Sequence, residues 1–498
     1  MTRTLFSRRQ FTLAGTSCAG LALSGCGGQG GSQTMVYQPA IESLNQHKVP
    51  RWFDDAKYGI FIHWGPYSVP AFAPKRADQV MSGTEEGFKY NPYAEWYLNT
   101  MLFEDGPTAA FHRETFGEGY SYDQFGQAFN EALDDWQPDE WARTFKRSGA
   151  RYVVLVSKHH DGFLLWPSAT PNPHKPNWFA SRDIVGELAE AVRAQGLRFG
   201  IYYSGGVDWT FKHKRIETFQ DLFMAMPGHE EGYTDYANAH YRELIERYRP
   251  DYLWNDIGYP TDADAFDVLA NYYNTVPDGL TNDRWMSPAG LADPEAFARP
   301  EGVTGLIPPE PPVWDVRTPE YGTFDRVLPF KWEMTRGLGK SFGYNREESE
   351  ADLLNAEEII TTLAQASAFG GNFLLNVGPR GDAQLDTHQV SRLNEVGDWL
   401  AQNGRYFQDA QAVALQDRFA GSTRVGATTD GTRLFVHLLD ANPDAELELP
   451  LPDAWAGASA ELVDAEDGAV ALEGRRLKLL AAEWPLRPVQ TLILARSV

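Results

Sequence analysis

The chain has 498 residues, 43% of them hydrophobic, so it is long enough and apolar enough for one large globular domain and a smaller one. Its 68 acidic residues outnumber its 44 lysines and arginines, which gives a formal net charge of −24. So large a negative charge disfavours nucleic acids and anionic membrane surfaces as partners, while it says little against neutral sugars.

Residues 1–25 have the pattern of an export signal rather than of a folded element. Ser7–Leu13 match the twin-arginine motif, and a mildly apolar stretch follows as far as Leu23. The four residues that end at Cys26 resemble a bacterial lipobox, in which this cysteine is lipidated and becomes the first residue of the mature chain. Residues 26–40 are then expected to be a flexible tether. The alternative is a plain cleaved signal peptide with an incidental cysteine.

We therefore expect an exported bacterial protein that is periplasmic or anchored at the outer membrane through a lipid on Cys26. The only other cysteine, Cys18, lies in the segment that would be removed. A mature chain of this kind has no disulfide bond, so its core must supply the stability. After Leu23 no apolar run approaches the length needed to cross a bilayer, so the lipid would be the sole attachment to the membrane.

Residues 41–408 alternate short apolar runs with helical segments, which is typical of an α/β fold with a (β/α)8-like barrel. Strands are predicted at Tyr58–Ile62, Arg151–Val156, Phe199–Tyr203 and Asp251–Trp254, and further strands end near Arg284, near Glu320, at Glu333 and at Val377. Eight strands are the number that such a barrel requires. One helix is predicted between Pro138 and Gly149, and another along the apolar stripe from Ile184 to Val192.

Residues 409–498 have a different pattern, in which glycines and Asp-Gly turns separate short alternating runs. The predicted strands are Arg433–Leu438, Glu446–Leu449, Ala460–Val463 and Gln490–Leu494. The pairs Asp430-Gly431 and Asp467-Gly468 are typical of hairpin turns. This pattern predicts a small antiparallel β-sandwich after the barrel.

Three of the predicted barrel strands end in ring and acid residues, namely at His63-Trp64, at Lys158–Asp161 and at Asn255-Asp256. The carboxyl ends of parallel barrel strands are where active sites lie. Imidazoles and carboxylates can bind sugar hydroxyls, indoles can cover the apolar face of a pyranose, and glycoside hydrolysis needs two carboxyl groups. The strand ends therefore favour a sugar-cleaving enzyme.

The individual side chains each have a second interpretation. Asp256 is the best candidate for a nucleophile, because it ends an apolar strand and shares one side of it with Trp254; the alternative is an aspartate that caps the next helix. Glu95 beside Trp96 could bind a sugar hydroxyl and a ring face, or could be a surface acid on a helix. Arg284 could orient a carboxylate or form a surface ion pair.

His63, His159 and His160 could be sugar ligands, zinc ligands or core histidines. Adjacent residues at the end of a strand point to opposite sides, so His159 and His160 do not easily share one metal ion. No HExxH motif or matching carboxylate spacing is present. We therefore expect neutral imidazoles that bind hydroxyl groups, with no metal and no cofactor.

Nine sequence blocks between Trp52 and Tyr406 occur in an order that is typical of one enzyme family. The blocks are Phe61–Gly65, Glu95–Tyr97, Lys158–Phe163, Gly200–Ser204, Leu253–Asp256, Asn282–Trp285, Lys331–Glu333, Ser341–Asn345 and Asn372–Pro379. Through these blocks the chain resembles the α-L-fucosidases of glycoside hydrolase family 29. The resemblance implies a (β/α)8-like barrel followed by a β-sandwich. It also implies metal-free hydrolysis of terminal α-L-fucose with retention of configuration.

The resemblance also implies which residues form the site. Asp256 would be the nucleophile. The fucose pocket would consist of His63, Glu95, Trp96, His159, His160, Tyr202, Trp254 and Arg284, with Phe342 near the C6 methyl group. Because fucose lacks a 6-hydroxyl group, an apolar wall at C6 leaves no polar group unpaired.

The general acid and base is expected in the segment Thr318–Tyr321, which is similar to the segment that carries it in one subgroup of the family. Glu320 is therefore the preferred acid. Residues 287–312 look like an insertion relative to the family pattern. The rival acids are Glu295, Glu301 and Glu310, and Asp315 lies just before the preferred segment.

The expected reaction begins with attack of Asp256 on the anomeric carbon while Glu320 protonates the leaving oxygen, and ends when water releases fucose. The expected partner is a fucosylated oligosaccharide or glycan. One alternative is a retaining exo-glycosidase for another deoxy or galactose-like sugar. An alternative of a different class is a non-catalytic surface lipoprotein that binds fucose.

Overall fold

The computed structural model describes residues 35–75, 84–286, 310–417, 419–420, 423–439, 446–455, 458–463, 470–473, 476–480 and 488–495. The predicted signal segment, the lipidation site Cys26, the rival acids Glu295 and Glu301 and the Asp467-Gly468 turn lie outside the described residues. Among the helices that are described, none combines the length and the apolar composition needed to cross a membrane.

Eight parallel strands form a nearly closed barrel in the described part of the chain, which confirms the predicted fold class. They are β1 (Tyr58–Ile62), β2 (Tyr152–Lys158), β3 (Arg198–Ser204), β4 (Tyr252–Asp256), β5 (Leu280–Thr281), β6 (Val316–Arg317), β7 (Lys331–Gly337) and β8 (Gly371–Val377). Their order is β5-β4-β3-β2-β1-β8-β7-β6, and a parallel bridge between Asn282 and Val316 joins β5 to β6. The two strands predicted to end near Arg284 and Glu320 are only two residues long each.

Helices connect and surround these strands. In the described residues they are α1 (Ile41–Leu44), α2 (Arg51–Ala56), α3 (Glu85–Lys89), α4 (Tyr97–Thr100), α5 (Pro107–Phe116), α6 (Tyr122–Ala132), α7 (Pro138–Arg147), α8 (Ile184–Ala194), α9 (Phe219–Met224), α10 (Tyr233–Tyr248), α11 (Phe266–Thr275), α12 (Ala356–Ala368) and α13 (Thr387–Asn403). Both predicted helices are present, as α7 and α8. Pro138 lies in the first turn of α7, where its missing N–H costs nothing. The carboxylate of Asp183 caps α8 by accepting the N–H of Gly186 at 3.0 Å.

Aromatic rings fill the interior of the barrel. Phe61, Tyr152, Tyr202 and Trp254 belong to one buried cluster that also contains the ring of Phe53 from α2. The Phe53 ring lies 5.4 Å from that of Tyr152, at the first residue of β2. The amino-terminal end of the barrel is therefore packed, and a ligand can enter only where the strands end.

Two antiparallel sheets follow the barrel. The larger contains β9 (Gln411–Ala412), β10 (Phe419–Ala420), β11 (Thr423–Thr429), β12 (Arg433–Leu438), β14 (Ser459–Leu462) and β17 (Gln490–Ala495), and the smaller contains β13 (Glu446–Pro450), β15 (Val470–Glu473) and β16 (Arg476–Leu480). One hydrophobic cluster joins the two sheets, since it contains Leu449 of β13 together with Val436 of β12. The four predicted strands are β12, β13, β14 and β17. Gly431, with a φ of 93°, makes the predicted turn between β11 and β12.

Strand β12 packs on both of its faces. Leu434, Val436 and Leu438 belong to the cluster between the two sheets, whereas Phe435 belongs to the main hydrophobic cluster that the barrel strands share with the surrounding helices. The alternation of side chains along a strand explains this division. The ring of His437, on the same side as Phe435, stacks on Phe407 at a centroid distance of 4.3 Å.

Candidate active site

A pocket opens at the C-terminal end of the barrel, and it brings the predicted site residues together. Those that line it are His63, Glu95, Trp96, His159, His160, Tyr202, Trp254, Asp256, Arg284, Glu320 and Phe342. They come from β1 to β4 or the residues directly after them, from the segments after β5 and β6, and from two loops. Residues far apart in the sequence thus converge at the end of the barrel that a ligand can reach.

Asp256 is the last residue of β4, and two donors hold its carboxylate. The hydroxyl of Tyr202 donates to Oδ2 at 2.7 Å, and Nη1 of Arg284 donates to Oδ1 at 2.8 Å. Burial raises the pKa of Asp256, but the charge of Arg284 and the two hydrogen bonds outweigh it and bring the pKa below its ordinary value. The next helix, α11, begins at Phe266, so the alternative that Asp256 caps a helix is wrong. The carboxylate is ionised, which is the state that a nucleophile needs.

Glu320 shares Arg284 with Asp256. Nη2 of Arg284 donates to Oε2 of Glu320 at 3.2 Å, and the hydroxyl of Tyr93 donates to Oε1 at 3.1 Å. Burial raises the pKa of Glu320, and although Arg284 opposes this effect, the nearby charge of Asp256 adds to it. The pKa of Glu320 therefore lies above its ordinary value, whereas that of Asp256 lies below. Such opposed shifts in neighbouring carboxyl groups are typical of an acid and a nucleophile in one site.

The residues that follow the two carboxyl groups have an unusual backbone. Ile257 and Tyr321 have φ angles of 52° and 53°, in the left-handed region that favours glycine. Each such residue costs roughly 1–2 kcal/mol, and strain of this kind concentrates at functional sites. Around Glu320 the chain is fixed to β7, because the N–H of Tyr321 donates to the carbonyl of Thr335 at 3.0 Å.

Thr318 and Asp283 hold the side chain of Arg284 in place. Its side chain is about 10% exposed, so the alternative of a surface ion pair is wrong. Nε donates to Oγ1 of Thr318 at 3.2 Å, and that hydroxyl donates to Oδ1 of Asp283 at 2.6 Å. The chain of contacts fixes the guanidinium between Asp256 and Glu320.

Among the described residues, neither the rival acid Glu310 nor Asp315, just before the preferred segment, lines the pocket. Glu310 is about half exposed, and it accepts hydrogen bonds from Trp314 and Arg317. Asp315 is buried elsewhere, where its Oδ2 accepts the N–H of Thr281 at 2.9 Å. Neither carboxyl group faces Asp256 in the way that Glu320 does.

The pocket histidines are neutral, because burial lowers the pKa of His63 to about 4 and that of His160 to about 3. Nδ1 of His63 lies 2.7 Å from Oδ1 of Asn376, which can only accept. Nδ1 of His160 lies 2.7 Å from the hydroxyl of Ser204, which donates to the carbonyl of Val207. Both Nδ1 atoms therefore carry the hydrogen, which leaves each Nε2 as an acceptor for a hydroxyl group.

His159 and His160 both line the pocket, so the expectation that they point to opposite sides is wrong. β2 ends at Lys158, and the two histidines lie in the turn that follows, where the alternation of a strand no longer holds. Their ring centroids are 4.0 Å apart. In the part of the chain that the structure describes, no group of three or more His, Cys, Asp or Glu side chains is placed to hold a metal ion.

Glu95 and Trp96 lie in a single turn of 3-10 helix, and Glu95 is buried rather than on a helix surface. Its Oε2 accepts the N–H of Gly343 at 2.7 Å. Burial raises the pKa of Glu95 to about 8, so its carboxyl group is largely protonated at neutral pH. The neighbouring Phe342 ring lies 5.1 Å from that of His63, and it forms part of the apolar wall.

A match to a family model covers residues 28–405, and the description of that family is alpha-L-fucosidase. The chain belongs to the α-L-fucosidase family. The predicted family and the predicted enzyme class, a glycoside hydrolase, are thereby confirmed.

Relatives of known sequence and structure cover nearly the whole chain. The tissue α-L-fucosidase of Rattus norvegicus is 30% identical over 465 residues, which are 90% of this chain and 88% of the relative. A solved structure of Thermotoga maritima α-fucosidase in complex with a mechanism-based inhibitor is 36% identical, with a TM-score of 0.77, and covers 92% of this chain and 100% of that one. The same enzyme in complex with fucose gives 35% identity, a TM-score of 0.76 and the same coverage.

Several pocket residues of this α-L-fucosidase family member were not predicted from the sequence. Phe61 lies two residues before His63, and the period of the strand could have placed it on the same side. Tyr93 lies in the tyrosine-rich segment around Glu95, but nothing local links it to Glu320. The remaining lining residues that were missed are Phe88, Asn91, Ile257, Gly258, Asp283, Met286 and Thr335. Phe219, Leu222 and Phe223 belong to residues 219–233, which the sequence indicates as a candidate pocket-rim element without an assigned role.

Proposed function

We propose that this protein is a retaining exo-α-L-fucosidase, with Asp256 as nucleophile and Glu320 as general acid and base. The observation that carries the proposal is the shared guanidinium of Arg284, which binds both carboxyl groups while their pKa values are shifted in opposite directions. A carboxylate with a lowered pKa beside a carboxyl group with a raised pKa is the pair that glycoside hydrolysis needs. The α-L-fucosidase relatives and the neighbour bound to fucose support the choice of sugar.

In the first step a carboxylate oxygen of Asp256 attacks the anomeric carbon while the bond from that carbon to the leaving oxygen breaks. The proton of Glu320 passes to the leaving oxygen, so the aglycone departs as a neutral alcohol. Arg284 then lies between the carboxylate of Glu320 and the new ester of Asp256. The product of this step is a covalent fucosyl-enzyme.

In the second step Glu320, now ionised, takes a proton from a water molecule whose oxygen attacks the anomeric carbon. The ester bond to Asp256 breaks, the carboxylate is regenerated and Glu320 is protonated again. Two inversions at one carbon leave fucose in the α configuration of the substrate.

The pocket fits the end of a glycan, because the barrel below it is filled with buried rings. The Nε2 atoms of His63 and His160 can accept hydrogen bonds from sugar hydroxyls. The protonated carboxyl group of Glu95 can donate one. Phe342, with Phe61 nearby, offers an apolar surface for the C6 methyl group, where a 6-hydroxyl would find no partner.

The test is the release of 4-nitrophenol from its α-L-fucoside by the purified protein. Asp256→Ala is expected to lose about 10³-fold or more in kcat/KM, and azide should restore turnover and yield the β-fucosyl azide. Glu320→Ala should lose far more on poor leaving groups than on nitrophenol, since nitrophenolate departs without a proton.

The matched control is Glu310→Gln, because this rival acid lies away from the pocket and its replacement should leave both rates within about twofold. A wild-type protein that releases no fucose from aryl or natural fucosides would contradict the proposed function. Activity that survives Asp256→Ala without azide would contradict the choice of nucleophile.

We also propose that residues 1–25 direct export by the twin-arginine route and that Cys26 carries a lipid. The support is the sequence alone, namely the paired arginines in Ser7–Leu13 and the lipobox pattern that ends at Cys26. The twin-arginine route carries folded proteins. A lipid at the end of a tether would hold the catalytic unit at a membrane surface without a spanning helix.

A further inference from the structure

The pocket changes in character between its floor and its mouth. The floor consists of buried ring and carboxyl side chains on the barrel strands and the segments directly after them. Other lining side chains are apolar and lie on no barrel strand, and Phe219, which is exposed, marks the mouth of the pocket. These apolar side chains include Phe88 of α3, Phe219, Leu222 and Phe223 of α9, and Met286.

Helix α9 presents one apolar face to this mouth. Phe219 and Phe223 are four residues apart and therefore lie on the same side of the helix. Phe219 is 37% exposed and Phe223 is half-buried, so both rings are accessible to solvent. Met224, on another side of the same helix, is 56% exposed and does not line the pocket.

A helix cap, an ion pair and buried packing contacts hold α9 against the rest of the chain. Thr218 caps the helix by accepting the N–H of Asp221 at 3.1 Å, and Lys214 donates to the carboxylate of Asp221 at 2.7 Å. Leu222 is buried in a cluster that also contains Phe88. The ring of Phe88 lies edge-on to Phe219 at a centroid distance of 5.8 Å, so the exposed ring rests on a buried one.

We infer that Phe219 and Phe223, supported by Phe88, form the leaving-group subsite, which binds the apolar C–H face of the sugar to which fucose is attached. This inference rests on the proposed function, because it places the fucosyl group on the floor of the pocket. The group bonded to the anomeric carbon must then lie toward the opening, where α9 stands. The apolar face of a pyranose can stack on aromatic rings that are partly exposed beside a polar site.

The chemistry of the mouth also defines the kind of selectivity. The side chains of Phe219, Leu222, Phe223 and Met286 carry no strong hydrogen-bond donor or acceptor. Apolar contacts favour binding of an apolar sugar face, but they do not distinguish sugars by the pattern of their hydroxyl groups. The subsite should therefore accept several linkages and also aromatic aglycones, and its contribution should be to binding rather than to the chemical step.

The test compares three substrates whose leaving groups differ in size: α-L-fucosyl fluoride, 4-nitrophenyl α-L-fucoside and a fucosyl-galactose disaccharide. Phe219→Ala and Phe223→Ala are each expected to lower kcat/KM roughly tenfold on the disaccharide and on the nitrophenyl fucoside, mainly through KM. On the fluoride, whose leaving group has no ring to stack, kcat/KM of both variants should lie within about twofold of the wild-type value. Inhibition by free L-fucose, which occupies the floor alone, should not change.

Two controls separate a subsite from a damaged fold. Met224→Ala changes the same helix on a side away from the mouth, so all three rates should remain at the wild-type level. Phe219→Tyr keeps the ring and should restore the activity that Phe219→Ala loses. An equal loss on all three substrates, or weaker inhibition by L-fucose, would overturn the inference, because it would mean that the floor has moved.

The outcomes also distinguish the inference from the proposed function. A wild type that is inactive on all three substrates contradicts the proposed function itself. If the wild type is active and both alanine variants hydrolyse the disaccharide at the wild-type rate, only the leaving-group subsite is overturned. A loss confined to the nitrophenyl fucoside would also overturn it, since the inferred occupant is a sugar ring.

Discussion

A single arginine links the two carboxyl groups on which the chemistry depends. Arg284 favours the ionised form of both Asp256 and Glu320, but burial outweighs its effect only at Glu320. The ionised nucleophile therefore persists to unusually low pH, and the protonated acid persists to unusually high pH for a glutamate. The two ionisations bound the pH range in which both groups are in the required state.

The first prediction is a bell-shaped dependence of kcat/KM on pH. The acid limb should lie below the ordinary aspartate pKa of about 3.9, because the pKa of Asp256 is lowered, and the basic limb should lie above the ordinary glutamate pKa of about 4.3. With the nitrophenyl fucoside, Glu320→Ala should remove the basic limb. A fall in rate that persists near pH 8 in this variant would assign the limb to Glu95, whose pKa is raised to about 8.

The second prediction concerns Tyr93, whose hydroxyl donates to Oε1 of Glu320. This hydrogen bond stabilises the carboxylate and so lowers the pKa of Glu320. Tyr93→Phe should raise that pKa, and the basic limb of the pH profile should move to higher pH. Tyr344→Phe is the matched control, since Tyr344 does not line the pocket. A basic limb that stays in place or moves to lower pH in Tyr93→Phe would show that the hydroxyl does not act on the acid.

A buried ion pair fixes the element that carries His159 and His160. Nζ of Lys158, the last residue of β2, lies 3.0 Å from Oδ2 of Asp208, and neither side chain is exposed. The carbonyl of His160 accepts the N–H of Trp209, the residue after Asp208, at 2.8 Å. The loop after β3 and the turn after β2 are therefore held together directly behind the pocket.

The third prediction follows from the burial of this pair. Lys158→Met should lower the free energy of unfolding by about 3–5 kcal/mol, because it leaves the charge of Asp208 buried without its partner. The double variant with Asp208→Asn should recover much of the loss. Asp398→Asn, which removes an exposed pair with Arg147, should cost less than about 1 kcal/mol. Urea unfolding measures all three, and equal losses in Lys158→Met and Asp398→Asn would contradict the argument.

How far the sequence predicts an element depends on how much of its stability is local. Strands β1 to β4 are mostly buried apolar runs, and α7 and α8 begin with a proline and an acidic cap, respectively. The sequence therefore predicts these elements from local patterns. β5 and β6 are two residues long and exist because neighbouring strands hold them, which the sequence shows only through the residues that follow. Tyr93 enters the pocket from a loop and Phe219 from the short helix α9, and the position of each depends on tertiary packing that no local pattern shows.

At the scale of the whole molecule, the sequence predicts how the enzyme is attached to its surroundings. The fourth prediction is that Cys26→Ser moves the protein from the membrane fraction to the soluble fraction of cells, because it removes the lipidation site. Labelling with a radioactive fatty acid should disappear in the same variant, while activity per molecule stays unchanged. Cys18→Ser, within the segment expected to be removed, is the matched control. A Cys26→Ser protein that remains in the membrane fraction would contradict the lipid anchor.

The fifth prediction asks whether the C-terminal sheets support the barrel or bind glycans. Phe435 of β12 is fully buried in the main hydrophobic cluster that the barrel shares with its surrounding helices, 5.2 Å from the ring of Tyr406, so Phe435→Ala should cost about 3–5 kcal/mol in urea unfolding. Phe419→Ala, at a site that is 52% exposed, should cost less than about 0.5 kcal/mol. If the sheets act as a support, the folded Phe435→Ala protein keeps the KM of the wild type for both aryl and glycan substrates. A rise in KM confined to large glycans would instead show that the sheets bind substrate, because the pocket is expected to contact only the fucosyl group and the sugar to which it is attached.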